Sequence, residues 1–164
     1  YILRLQGIQS IVIGSYLMQH ENMARAILNI RSNYVKSEYL VSDFKIPTES
    51  LPLVTTDDTV KTMLQKMDAY KLGTVFFIDK TQHFLGIISN ADVRRVLLEG
   101  NFDYSMSLEN FVNKSPKTIL DTNSTTEMID FIEQIKFPIL VLPIINKNGT
   151  LTGAISFHKL LKEE

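Results

Sequence analysis

One short segment carries a concentrated set of polar side chains: Ser89, Asn90, Asp92, Arg94 and Arg95 follow one another directly after a hydrophobic run. A carboxylate at the start of a helix can accept two hydrogen bonds from a vicinal diol. A hydroxyl with backbone N–H groups beside it can face a phosphate, and a guanidinium can clamp that phosphate. The segment therefore has the side chains to bind a pair of hydroxyl groups and a phosphate.

Plainer structural roles fit the same residues. An acidic side chain such as Asp92 near a helix start stabilises the helix by about 0.3–1 kcal/mol through its dipole. Ser89, and Ser156 in the second half of the chain, can simply end a strand and cap the next helix. Arg94 and Arg95 can form a solvated surface pair. Both interpretations stay open on these residues alone.

The elements that would position this segment occur twice. Residues 84–89 (FLGIIS) and 151–156 (LTGAIS) are related by an offset of 67 residues, which is 153 minus 86 for their glycines. The same offset relates 78–80 to 145–147 and 40–44 to 107–111. In between, the offset is 65 residues, which is 119 minus 54, since Val54 falls on Ile119 and Met63 on Met128. The return to 67 means that the second copy has two extra residues around Phe137-Pro138. Several stretches related by one offset indicate an internal repeat.

Each copy has the pattern strand, helix, strand, strand, helix. In the first copy, Val60, Met63, Leu64 and Met67 have the spacing of one helix face, and residues 55–58 before them are good N-cap types. Residues 74–78 and 84–88 are apolar runs of strand length around a polar turn, which predicts a hairpin.

A second helix is predicted from Asn90, with Val93, Val96 and Leu97 facing inward and Gly100 as its stop. The second copy repeats the order. Its first helix has a face formed by Met128, Ile129, Ile132 and Ile135, and it continues with strands at 139–145 and 151–156 and a last helix at 157–162. A unit of about 60 residues buries little surface alone, so we expect the copies to pack on each other around a pseudo-two-fold axis.

The duplicated unit, closed by Gly86, Ser89 and Asp92, resembles the CBS-domain pair, or Bateman module, over roughly Val35 to Glu164. It is most similar to the modules appended to sugar-phosphate isomerases of the arabinose-5-phosphate type. Those close with Thr-Asp-Gly-Asp-Leu-Arg-Arg, where this chain has Ser-Asn-Ala-Asp-Val-Arg-Arg at 89–95. The resemblance implies an α+β fold of two pseudo-symmetric β-α-β-β-α units, 37–104 and 105–164, packed through their sheets after an N-terminal strand and helix extension, 1–36.

The resemblance also implies a function: a regulatory module that senses AMP, ADP or ATP between the units and controls an attached enzyme or transporter, without being an enzyme itself. Asp92 would hold the ribose hydroxyls. The predicted ligand-binding residues are Val54, Thr55, Thr74, Val75, Phe76, Ile88, Ser89, Asn90, Asp92, Arg94, Arg95 and Lys159. Lys159 occupies the position equivalent to Asp92, so one nucleotide site at most is expected. The alternatives are a structural dimerisation module without ligand and the control domain of a sugar-phosphate enzyme.

The first 36 residues have no counterpart in the second copy. Residues 7–18, which include Gly14 and Ser15, resemble the last strand and phosphate loop of a (β/α)-barrel enzyme such as indole-glycerol-phosphate synthase. The alternatives are a linker from another domain and an amphipathic helix used for dimerisation. The chain begins with Tyr1 rather than Met, so the sequence is compatible with a fragment attached to an upstream domain.

Composition narrows the classes of partner. A net charge of -1 argues against nucleic acid and against a membrane surface as partners, and the absence of Cys excludes thiolate metal sites and fits a cytoplasmic protein. His20, His83 and His158 lack metal-ligand spacings, and no catalytic motif is present. We therefore predict no metal and no essential cofactor. Beside the resemblance to the CBS-domain pair, we also expect a homodimer formed through the CBS units.

Overall fold

The computed structural model describes residues 39–100 and 102–157. The predicted extension at 1–36, His158, Lys159 and the rest of the last helix lie outside the described residues. The elements are, in chain order, β1 (Ile46–Pro47), β2 (Leu53–Val54), α1 (Val60–Tyr70), β3 (Thr74–Ile78), β4 (Phe84–Ser89), α2 (Asn90–Leu98), β5 (Ile119–Leu120), α3 (Thr125–Glu133), β6 (Val141–Ile145) and β7 (Leu151–Ser156).

The strands form two sheets of the same design. In the first, β2 pairs with β3 in parallel and β3 pairs with β4 as an antiparallel hairpin. In the second, β5 pairs with β6 in parallel and β6 with β7 as a hairpin, and β1 adds to the outer edge of β7. The α+β class, the repeat and both hairpins are therefore confirmed.

The two units exchange their leading segments. Ile46 in β1 pairs with Ala154 in β7, at the edge of the second sheet. The equivalent residue 67 positions later, Asn113, pairs with Ile87 in β4 through N–H to O hydrogen bonds of 2.8 and 3.1 Å. The leading segment of the first unit thus extends the second sheet, and the leading segment of the second unit extends the first sheet. This exchange ties the orientation of one unit to that of the other.

Three hydrophobic clusters form the core of the described residues. The first packs α1 and α2 on the first sheet and includes Leu108 and Phe111 from the segment that leads into the second unit. The second packs α3 on the second sheet and includes Val41 from the segment that leads into the first. The third cluster lies between the sheets and joins Phe76 and Ile78 to Val141 and Leu151. The units therefore pack through their sheets, as expected.

A polar cluster holds the start of α1 against β2. The Asp58 carboxylate accepts the Thr55 N–H (2.9 Å) and lies 3.2 Å from the Lys66 ammonium, which also donates to the Leu53 carbonyl (2.7 Å). Burial raises the pKa of Asp58, but the Thr55 and Lys66 hydrogen bonds and the Lys66 charge together hold that pKa below its usual value. The residues at 55–58 form this turn, and the N-cap of α1 is Thr59.

This cluster gives a pH-dependent prediction. Because the folded-state pKa of Asp58 lies below its unfolded value of 3.8, its stabilisation is complete above that pH and is lost as the pH falls through the folded-state pKa. We expect Asp58→Asn to lower the free energy of unfolding by about 1 kcal/mol at pH 7, and by less at pH 3, in urea titrations. Asp57→Asn, which removes an exposed pair with Lys80, is the control and should cost less at pH 7. A pH-independent effect of Asp58→Asn would contradict this assignment.

Three local expectations are corrected. Leu97 was predicted to face inward but is 47% exposed, because the buried residues of α2 are Asp92 and Val96, and Leu97 is rotated away from that face. Helix α3 ends at Glu133, so Ile135 lies beyond it. The strand expected at 139–145 starts at Val141. Within the described residues, no helix combines the length and hydrophobicity that a bilayer crossing would need.

Candidate functional site

A cleft of about 1040 Å³ opens where the two units meet. Its volume is at the upper end of the roughly 300–1,000 Å³ typical of small-molecule sites. Three groups of residues line it: Gly73, Thr74, Ile87 and 89–94 from the first unit, then Asn113 and 115–117, which lead into the second, and finally 137–141 before and at the start of β6. Both units thus contribute to one cavity.

The floor of the cleft is the junction between β3, β4 and α2. Thr74 and Ser89 are partners in the hairpin, which brings the start of one strand beside the end of the other. Gly73 has φ +65°, and its carbonyl accepts the Asn90 N–H at 3.0 Å. A Cβ at Gly73 would lie 3.1 Å from the Asn90 amide nitrogen. Glycine therefore allows the first turn of α2 to sit directly against β3.

Asp92 is buried at this junction, with 6% of its surface exposed. Its Oδ2 accepts hydrogen bonds from the Ser89 N–H (2.9 Å) and the Ser89 hydroxyl, and the Ser89 Oγ accepts the Asp92 N–H. This reciprocal capping box starts α2. Its Oδ1 accepts a hydrogen bond of 2.9 Å from the Arg95 guanidinium. The capping role and the placement in the cleft are thus found in the same side chain.

The opposite wall comes from the segment that leads into the second unit. The two backbone hydrogen bonds between Asn113 and Ile87 place this segment along β4. The Asn113 side-chain oxygen accepts the Ser115 N–H at 3.0 Å, which turns the chain so that Lys117 also lines the cleft. Neither Arg94 nor Lys117 forms an ion pair with another described residue. Two cationic side chains without an ion-pair partner among the described residues, one from each unit, therefore line one cavity.

The two extra residues of the second copy shape the mouth of the cleft. Phe137 and Leu140 line it and are 57% and 70% exposed. Exposed apolar side chains of this size at a cavity mouth suit contact with a flat aromatic ligand.

The predicted site residues divide into four groups. Thr74, Ser89, Asn90, Asp92 and Arg94 line the cleft. The side chains of Val54, Val75, Phe76 and Ile88 are fully buried in the core and do not line it. Two residues also lie outside its lining: Thr55, which hydrogen bonds with Asp58, and Arg95, which pairs with Asp92. Lys159 lies outside the described residues.

The lining residues Asn113, 115–117 and 137–141 were absent from the predicted set. The missed signal for the first group is the repeat itself, since the 67-residue offset relates Asn113 to Ile46 and Ile87 to Ala154, which pair in the second sheet. For the second group it is the insertion at Phe137-Pro138. Across residues 39–100 and 102–157, no three His, Asp or Glu side chains come together as a metal site would require.

Comparison with known families identifies the first unit. Residues 41–99 match the family model of the CBS domain. This stretch is a CBS domain. The fold is similar to that of the CBS-pair protein CBSX2 from Arabidopsis thaliana, whose structure in complex with AMP has a TM-score of 0.60 and 21% identity over 72% of this chain and 90% of that one. CbpB in complex with c-di-AMP has a TM-score of 0.64 and 17% identity over 85% and 91% of the two chains.

Two of the curated relatives are named as enzymes. Inosine-5'-monophosphate dehydrogenase of Aquifex aeolicus is 31% identical over 68% of this chain. Arabinose 5-phosphate isomerase of Francisella tularensis is 21% identical over 70% of this chain. The chain spans 22% and 34% of these two enzymes, and 40% of a Chlamydia pneumoniae protein that is 29% identical to it.

Proposed function

We propose that this CBS-domain pair is a regulatory module that binds an adenosine nucleotide in the cleft and controls an attached enzyme or transporter. The observation that carries the proposal is the cleft itself, because both units line it and it combines a buried carboxylate with two cations that have no ion-pair partner among the described residues. A ligand held by both units changes the free energy of their relative orientation. That coupling requires different affinities in two states, since equal affinity would shift nothing.

The charges of the cleft favour a phosphorylated ligand over a neutral nucleoside. The Asp92 carboxylate is neutralised by Arg95, which leaves the positive charges of Arg94 and Lys117 without an anionic partner among the described residues. A phosphate between these two side chains would connect the first unit to the second. AMP and c-di-AMP, the ligands of the two structural neighbours, both contain an adenosine phosphate.

Calorimetric titration with AMP and adenosine tests this proposal. We expect wild-type protein to bind AMP with a micromolar to millimolar dissociation constant and adenosine more weakly. Lys117→Ala should raise the dissociation constant of AMP by about tenfold, the range of one charge-assisted hydrogen bond. It should leave the dissociation constant of adenosine within about twofold of the wild-type value. An equal loss for both ligands would contradict the phosphate role of Lys117.

Lys114→Ala provides the matched control for Lys117→Ala. Lys114 is an exposed lysine in the same segment but does not line the cleft, so its removal changes the net charge equally. AMP at 100 times its dissociation constant should also stabilise wild-type protein by about 2.7 kcal/mol. Absence of both heat and thermal stabilisation would refute nucleotide binding.

A structural dimerisation module is the second candidate. The observation in its favour is the exposed end of α2, where Leu98 is 87% exposed next to the half-exposed Leu97. A chain that forms a dimer in light scattering and binds no AMP would support this candidate. The two functions are compatible, because the α2 end and the cleft lining share no residue.

The identity of the controlled protein is a separate part of the proposal. Both named curated relatives are enzymes much longer than this chain, which supports an attached enzyme with the CBS pair as its control domain. Similarity to the isomerase supports control of a sugar-phosphate enzyme, whereas similarity to the dehydrogenase supports control of a nucleotide dehydrogenase. The sequence of the full-length protein would decide between them.

A further inference from the structure

The hydrogen-bonding capacity of the Asp92 carboxylate is almost fully used by donors of the protein itself. A carboxylate offers about four acceptor positions, two on each oxygen. Two of them are taken on Oδ2 by the Ser89 N–H and hydroxyl, and one is taken on Oδ1 by the Arg95 guanidinium. A vicinal diol that donates two hydrogen bonds to Asp92 therefore needs the position that Arg95 occupies.

The Arg95 contact is the one that can be released. The Ser89 hydrogen bonds belong to the capping box that starts α2, and breaking them would expose the end of the helix. The Arg95 side chain is 56% exposed, so its guanidinium can move into solvent at little cost. Arg95 is also outside the cleft lining, whereas its neighbour Arg94 is part of it.

We propose that Arg95 is an internal competitor for the ribose-binding carboxylate. It neutralises Asp92, and a ligand with a 2',3'-diol binds by taking Oδ1 from it. Arg95 therefore lowers the affinity for ligands that carry this diol, and with it the preference for ribose over sugars without the diol. This inference rests on the proposed nucleotide-binding function. It also assigns the two adjacent arginines different roles, with Arg94 facing the ligand and Arg95 facing Asp92.

The test compares Arg95→Gln with wild type, using adenosine and 2',3'-dideoxyadenosine as probes in calorimetric titration. Neither probe has a phosphate, so a change in phosphate binding cannot produce the result. We expect Arg95→Gln to tighten adenosine binding by about two- to fivefold, because the released arginine is the exposed partner of the ion pair, and to leave dideoxyadenosine binding unchanged. The ratio of the two dissociation constants then shifts in favour of the diol.

Lys80→Gln is the control for the loss of a cation, because it removes the lysine of a different ion pair, Lys80 with the exposed Asp57 at 3.0 Å, away from the cleft. Lys80→Gln should not change the ratio of the dissociation constants of adenosine and dideoxyadenosine. Equal or weaker relative binding of adenosine in Arg95→Gln would overturn the competitor role while leaving nucleotide binding intact. If neither wild type nor Arg95→Gln binds adenosine or AMP, the proposed function fails and the competitor role fails with it. Circular dichroism melting checks that each variant is folded.

Discussion

Replacing Gly86 with Ala is expected to lower the free energy of unfolding by about 2–5 kcal/mol, because it combines overpacking with backbone strain. A Cβ at this position would lie 2.3 Å from the Asn113 carbonyl oxygen and 2.7 Å from a Val112 methyl group. Gly86 also has φ +151°, which side-chain-bearing residues rarely adopt. Urea titration followed by circular dichroism measures the effect.

The reason for this cost is the exchange between units. The Asn113 carbonyl is the one that accepts the Ile87 N–H, so relief of the clash must lengthen or break the pairing of Asn113 with β4. Asn113 and Ile87 both line the cleft, so AMP binding should weaken in the same variant.

Gly100→Ala is the control for Gly86→Ala. Gly100 has φ +80°, but a Cβ there would meet nothing within 4 Å. It should therefore show only the strain of a left-handed residue, about 1 kcal/mol. If both variants lose the same stability, close approach of the Asn113 segment does not explain the glycine at position 86.

Regular periodicity made much of the fold predictable. The Val60, Met63 and Met67 spacing identified the buried face of α1, and all three are buried. The paired hairpins were predictable because each is a local element with a polar turn, and the offset between copies made the two predictions support each other.

The exchange of leading segments was harder to predict. Strand β1 has two residues, and the Asn113 contact is a single bridge, so neither has a periodic hydrophobic pattern. Their pairing is fixed by backbone hydrogen bonds between residues far apart in the chain. The same difficulty affected the site. Ser89, Asp92 and Arg94 are adjacent in sequence and could be identified, whereas Lys117 and Phe137 join them only through tertiary packing.

Removing the Asp92 carboxylate should have the largest effect on ligand binding. We expect Asp92→Ala to abolish AMP binding, and Asp92→Asn to weaken it by about 10- to 100-fold, because a hydrogen bond to a charged acceptor contributes about 1.5–3 kcal/mol. Asn keeps the shape of the side chain and one acceptor oxygen, so it separates the loss of charge from the loss of the capping box. Calorimetric titration with AMP measures both variants.

Glu127→Gln is the control that distinguishes binding from helix capping. Glu127 forms the equivalent capping box on α3, where it accepts the Ser124 N–H at 2.7 Å, but it does not line the cleft. The Ser124 N–H, the Asn123 amide and the Ser124 hydroxyl lower the pKa of Glu127, so this carboxylate is ionised at neutral pH. Its removal should lower the melting temperature without changing AMP affinity.

The combination of Asp92→Asn with Arg95→Gln tests whether Arg95 acts on the ligand through the Asp92 carboxylate. If Arg95 acts by competing for Oδ1, its removal can tighten adenosine only while the carboxylate is present, so the effects of the two substitutions are not additive. The double variant should therefore bind adenosine as weakly as Asp92→Asn alone. Additive effects would mean that Arg95 acts on the ligand directly, and wild-type affinity in Asp92→Asn would mean that the carboxylate serves only to cap α2.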